Sequence, residues 1–278
     1  MSTSQLSRFV RERISHRDVA VHLVVPVTLV VVYVSPVTFE SVLFRPGVSG
    51  WQAAYLSLVG HADLAHLAGN VFGYLVLSLL SLLLLAGVSR RRFYYASVAS
   101  ILVFVPPLSA LVSELYLRRT APEVIGYYRG AGFSLVVAAL VGLLAVAIAI
   151  HQRERLRFPV PPGPTSGCLF LIATFVALAY AGWTALVLTP LGASGLAYLS
   201  LSGWNVKRTL RDPNAALDVS LYVSGVLIFL GSTSDLFLAV RVTAGVHPHL
   251  VGLVCGFVVV WSVLTASRLH SSVSGILE

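Results

Sequence analysis

Four side chains in this chain have the types and spacing for acyl-transfer chemistry: Ser134, His249, His66 and Asn70. A serine hydroxyl becomes a useful nucleophile when a histidine takes its proton, and the resulting oxyanion then needs hydrogen-bond donors. His66 and Asn70 are four residues apart, so on a helix they share one face, one turn apart. They close the stretch Gly60 to Asn70, which leads directly into an apolar run from Val71 to Val88. Polar groups at the mouth of a membrane helix are costly, which marks them as functional candidates. Hydrogen bonding between helices is the competing reading.

Ser134 and His249 sit among small residues. Ser134, Ala138 and Gly142 form an i, i+4, i+8 stripe, and His249, Gly252 and Gly256 form an i, i+3, i+7 stripe. Two such stripes let helix backbones approach closely enough for a hydroxyl and an imidazole to meet. His66 and Asn70 would then supply side-chain donors beside the Ser134 N–H. The competing reading is that the serine bonds its own backbone and the glycines serve packing alone.

The elements that must position these groups are membrane helices. Of 278 residues, 57% are hydrophobic and 11% charged, and the mean hydropathy is +0.87. Apolar runs recur along the whole length, which excludes an ordinary soluble domain and predicts an all-α polytopic membrane protein. The net charge of +8 is carried by short basic clusters between apolar runs, which argues for cytoplasmic loops and against nucleic acid as a partner. Cys168 and Cys255 lie far apart in apolar segments, so neither a disulfide framework nor a metal site is expected, and no cofactor is.

In chain order, residues 1–17 are polar and form an N-terminal segment. Helices are expected at about 18–35, 65–88, 93–117 and 130–150, the third kinked or broken at Pro106-Pro107. The loop from Pro36 to Gly60 is partly apolar and should lie in the membrane interface, with Trp51 at headgroup level. A proline-rich connector, Pro159 to Gly167, leads to further helices at about 168–188, 191–204, 218–240 and 248–267, the second of them short. With eight spans and both termini in the cytoplasm, 14 of the 19 Lys and Arg residues fall inside, as the positive-inside rule asks. His66, Ser134, His249 and Asn70 then share one depth, within roughly 10 Å of the outer helix starts. The membrane domain spans 18–267, and 268–278 form a cytoplasmic tail.

Taken together, these motifs resemble the rhomboid family of intramembrane serine proteases. That family's second helix carries a His, four residues, a second His, three residues and an Asn, matched by His61, His66 and Asn70. Its nucleophile motif, Gly-x-Ser-Gly with a small residue at +5 and a glycine at +8, is matched by Gly132, Ser134, Ala139 and Gly142. Its base motif, His-x-x-Gly-x-x-x-Gly, is matched by His249, Gly252 and Gly256. The resemblance implies a multi-pass cell-membrane endopeptidase that cleaves transmembrane segments near the outer face. Ser134 would be the nucleophile, His249 the base, and His66 and Asn70 the oxyanion donors, with His61 and Gly132 in support.

The chain departs from that pattern in three places. Leu135 replaces the glycine after the nucleophile, and Trp51-Gln52 stands where the family often has Trp-Arg. Three spans separate Ser134 from His249 instead of one. This predicts a two-helix insertion within about 151–215, as in haloarchaeal-like variants. A rival nucleophile, Ser194, lies in Gly192-Ala193-Ser194-Gly195. However, Leu199 and Ser202 occupy its +5 and +8 positions, where close packing needs small residues, so Ser134 is favoured. Leu135 also keeps open a catalytically inactive relative that binds membrane clients. A transporter, hinted at by Asp235 and the histidines, lacks an inverted repeat. A zinc protease lacks His-Glu-x-x-His.

Overall fold

The computed structural model describes residues 3–120, 122, 125, 129–157, 169, 213–238 and 246–274. The described chain is all-helical, with α1 (Thr3–Arg13), α2 (His16–Val34), α3 (Gln52–Leu56), α4 (Leu64–Ala86), α5 (Arg91–Thr120), α6 (Ser134–Glu154), α7 (Pro213–Leu238) and α8 (Val246–Ser274). Six of these, α2 and α4 to α8, are long and apolar enough to cross a membrane, as in a multi-pass helical protein. The two further crossings expected at 168–188 and 191–204 lie outside the described residues, as do Ser194 and Cys168. α6 ends and α7 begins at the same end of the bundle, where Arg155 pairs with Asp218. Six crossings and eight both require that.

α6 is the axis of the fold. Every residue from Val136 to Gln152 is buried, and α4, α5, α7 and α8 pack around it. Its sequence alternates Ala and Gly with Val, Leu and Ile, so it has no polar face to turn outward and is small enough to be enclosed. The two small-residue stripes meet between α6 and α8. A Cβ added to Gly142 would lie 2.8 Å from the Phe257 nitrogen, and one on Gly252 would lie 2.5 Å from the Leu135 oxygen and 3.2 Å from Ala138 Cβ. Gly256 abuts the Ala139 backbone in the same way. Side chains larger than hydrogen at these positions would force the helices apart.

α5 is not broken at Pro106 and Pro107; it runs as one helix from Arg91 to Thr120. Pro107 has no N–H to give the Val103 carbonyl one turn earlier. The Tyr55 hydroxyl donates to that carbonyl at 2.6 Å instead. The helix therefore keeps its prolines without leaving this acceptor unmet, and the same bond ties the loop between α2 and α4 to α5. Trp51 beside it is 68% exposed and edge-on to Tyr55.

One end of the bundle is held by buried ion pairs. Residues 3–13 are an α-helix, not merely a polar tail, and Arg13 is buried under it. Its Nη2 donates to Asp218 Oδ1 at 2.7 Å, Arg155 donates to the other carboxylate oxygen, and Arg13 and Asp218 are 7% and 1% exposed. Ser15 and Asp18 form a capping box that starts α2, and Asp18 also accepts from Arg91 at 3.1 Å and from Tyr95. The other end carries the candidate site. There Phe44 and Gly130 exchange two backbone hydrogen bonds of 2.9 Å, and the Gly132 N–H donates to the Ser57 carbonyl at 2.8 Å. These three bonds fix the chain just before Ser134.

Candidate active site

Each of the four chemistry-bearing residues lies within the first two turns of its helix. Ser134 is the first residue of α6, not one turn inside as the sequence predicted. The reason is Gly132, whose φ of +113° ends the incoming loop in a conformation that L residues rarely adopt. The Val136 and Val137 N–H groups both donate to the Phe133 carbonyl. The Ser134 and Leu135 N–H groups therefore open the helix without a backbone acceptor, as first-turn donors do.

His66 is placed by the cap of α4, where Asp63 Oδ1 accepts its N–H at 2.7 Å. Asn70 follows one turn later and is 5% exposed. Both side chains aim at Gly132: a Cβ there would lie 2.7 Å from His66 Nε2 and 3.6 Å from Asn70 Nδ2. Asn70 Nδ2 is buried without a hydrogen-bond partner among the described residues. Leaving such a donor unmet costs about 1–3 kcal/mol, so an acceptor that entered the cavity would be stabilised there.

His249 is 8% exposed. Its Nδ1 lies 2.8 Å from the Leu236 carbonyl. A carbonyl only accepts, so Nδ1 carries the proton and the neutral ring's Nε2 carries the lone pair. That is the tautomer a general base needs, fixed by a main-chain oxygen of α7 in place of a carboxylate.

Ser134, His249, His66 and Asn70 all line one cavity of about 840 Å³. No known family model, curated protein or solved structure matches this chain. The chemistry is therefore argued from this cavity. Gly132 lines it too, whereas His61 stands behind the wall. The His61 ring is edge-on to His66 at 5.1 Å and its Nδ1 is 3.1 Å from the Val59 carbonyl. Burial pushes the His61 imidazole down from its ordinary pKa, so it acts as a neutral prop for the His66 ring. Among the described contacts no hydrogen bond joins Ser134 to His249. Catalytic hydrogen bonds often tighten only when substrate is bound.

The cavity also holds groups that sequence reasoning did not assign to the site. Ser109 and Ser113 of α5 line it, each 4% exposed. Their i, i+4 spacing in an apolar helix was a usable signal. Asp235, expected at a hydrated outer helix end, is exposed and is part of the cavity wall. Leu236 left no sequence signal, because it contributes only its carbonyl. Leu135 half-fills the space that Gly252 leaves open, its Cδ1 lying 2.9 Å from where a Cβ on Gly252 would be. The Leu135 side chain thus packs against a glycine of α8.

Proposed function

We propose that this chain is a rhomboid-type intramembrane serine endopeptidase of the cell membrane, cleaving transmembrane segments near their outer ends. The observation that carries the reading is the convergence of Ser134, His249, His66 and Asn70, from three separate helices, on one cavity. The basic end, with Arg13, Arg91 and Arg155, is the cytoplasmic end by the positive-inside rule, so the cavity faces outward.

In this mechanism Ser134 Oγ attacks the scissile carbonyl carbon while His249 Nε2 takes its proton. The carbonyl oxygen becomes an oxyanion that accepts from Asn70 Nδ2–H, His66 and the Ser134 N–H. As the C–N bond breaks, His249 returns the proton to the leaving amine. Water, deprotonated by the same nitrogen, then hydrolyses the acyl-serine ester and frees the second product. The substrate helix must unwind locally, since its scissile peptide has to leave its internal hydrogen bonds.

A second reading, a catalytically inactive relative that binds membrane clients, is favoured by Leu135 and by the unmade Ser134–His249 bond. Purified protein treated with a serine-reactive fluorophosphonate probe and with a model transmembrane substrate separates the two. Ser134→Ala is expected to abolish labelling and cleavage, while Ser194→Ala keeps both. The reverse pattern would move the nucleophile to Ser194, and an unlabelled wild type would favour the inactive relative.

A further inference from the structure

We propose that Asp235 is a specificity-determining residue that selects substrates with a lysine or arginine beside the scissile bond; this rests on the endopeptidase reading above. Among the described residues, one guanidinium and one carboxyl side chain line the cavity, Arg129 and Asp235. Arg129 already faces a carboxylate, Glu40, at 3.8 Å. Among the described residues Asp235 has no ion-pair or hydrogen-bond partner. Among the described residues, the cavity therefore presents one carboxylate that is in no ion pair, Asp235.

Its position is close to the chemistry. Asp235 is the neighbour of Leu236, whose carbonyl holds the His249 ring at 2.8 Å. The carboxylate therefore sits on the same turn of α7 that orients the base. Ser232, one turn earlier, lines the same wall and adds a hydroxyl. Among the described residues, nothing lies within 4 Å of where a Cβ on Gly231 beside it would be, which leaves room for a long side chain to lie along α7. A lysine or arginine stem suits that arrangement, with apolar methylenes against the helix and the cationic head at the carboxylate. Lysine and arginine are scarce on the outer flanks of transmembrane segments. A carboxylate at this site would therefore single out a minority of membrane proteins.

The test uses full-length protein in vesicles and a model transmembrane segment that it cleaves. Lys, Gln or Glu is placed singly at each of four positions on either side of the cleaved bond. Wild type is expected to favour Lys over Glu by about five-fold in kcat/KM at the best position, the upper range for a pair that water still reaches. Raised salt should shrink the ratio. Asp235→Asn should bring it near one, and Asp235→Lys should invert it. Filling the gap with Gly231→Leu should reduce cleavage of the Lys substrate more than of the Gln substrate. A wild type without charge preference, or a preference that survives Asp235→Asn, overturns the inference. Fluorophosphonate labelling of Ser134 is read in parallel in every variant. Labelled enzyme with no charge preference sinks the inference alone, whereas unlabelled wild type sinks the endopeptidase reading with it.

Discussion

His249 Nδ1 donates to the main-chain oxygen of Leu236 across 2.8 Å, joining α8 to the last turn of α7. This bond gives the Leu236 carbonyl a donor and sets the imidazole tautomer at once. Asparagine can imitate the first role and not the second, because its amide reaches the Nδ1 position but not Nε2. His249→Asn should therefore unfold at nearly the wild-type temperature yet lose probe labelling. His249→Ala should lose labelling and be less stable than the Asn variant by about 1 kcal/mol. Equal stability of the two variants in thermal unfolding would argue that the Leu236 bond contributes nothing.

The oxyanion assignment makes a kinetic prediction. Removing one fully used donor costs on the order of 10²-fold in kcat, so His66→Ala and Asn70→Ala should each slow cleavage by about that factor with the fold retained. Asn70 has no partner for Nδ2 in the resting cavity, so its loss should fall on kcat more than on unfolding temperature. Wild-type rates in both variants would remove these residues from the mechanism.

At the opposite end, Asp218 neutralises two arginines while only 1% exposed. Removing one partner of a buried ion pair leaves the other charge uncompensated and costs about 3–5 kcal/mol. Arg155 is 44% exposed on its side chain and keeps some water, so Asp218→Asn should fall at the lower end, about 3 kcal/mol. Glu40→Gln, which breaks the exposed pair with Arg45, should cost under about 1 kcal/mol. Similar unfolding temperatures for the two variants would show that the cluster is not a clasp.

Sidedness and the number of crossings can be read from single cysteines. Val48 is 75% exposed at the cavity end, so Val48→Cys should react with a membrane-impermeant thiol reagent from outside, in a Cys168→Ser, Cys255→Ser background. Glu154→Cys at the basic end should not. Six and eight spans agree on both, so the count rests on Pro190→Cys, between the expected crossings at 168–188 and 191–204. Labelling there from outside supports eight spans; protection from outside together with labelling from inside supports six.

The four residues that line the candidate cavity could be picked out in the sequence because their side chains are exceptions within apolar helices. His66, Asn70, Ser134 and His249 stand out from runs of Leu, Val and Ala, and the glycine spacing on α6 and α8 announced the close contact that places them. What stayed hidden depends on partners far along the chain or on backbone atoms. Arg13 and Asp218 are 205 residues apart, and nothing local to either names the other. Residues 1–17 read as a polar segment because the partner that Arg13 meets on α7 lies far along the chain. Pro106-Pro107 pointed to a kinked or broken helix, and the Tyr55 hydroxyl that takes the Val103 carbonyl in an unbroken one comes from a distant loop. Leu236 acts through an oxygen that every residue possesses.

The complete burial of α6 has a consequence for biosynthesis. Its serine is translated well before α7 supplies the Leu236 oxygen and α8 supplies the imidazole. A growing chain that has inserted only α1 to α6 holds a nucleophile with no base and an axis with half of its enclosing helices missing. Arg13 at that stage also waits for Asp218. The ion clasp and, under the proposed mechanism, the proton acceptor are completed by elements that emerge late, so structural closure and the proposed reactivity would arrive in the same closing phase of synthesis.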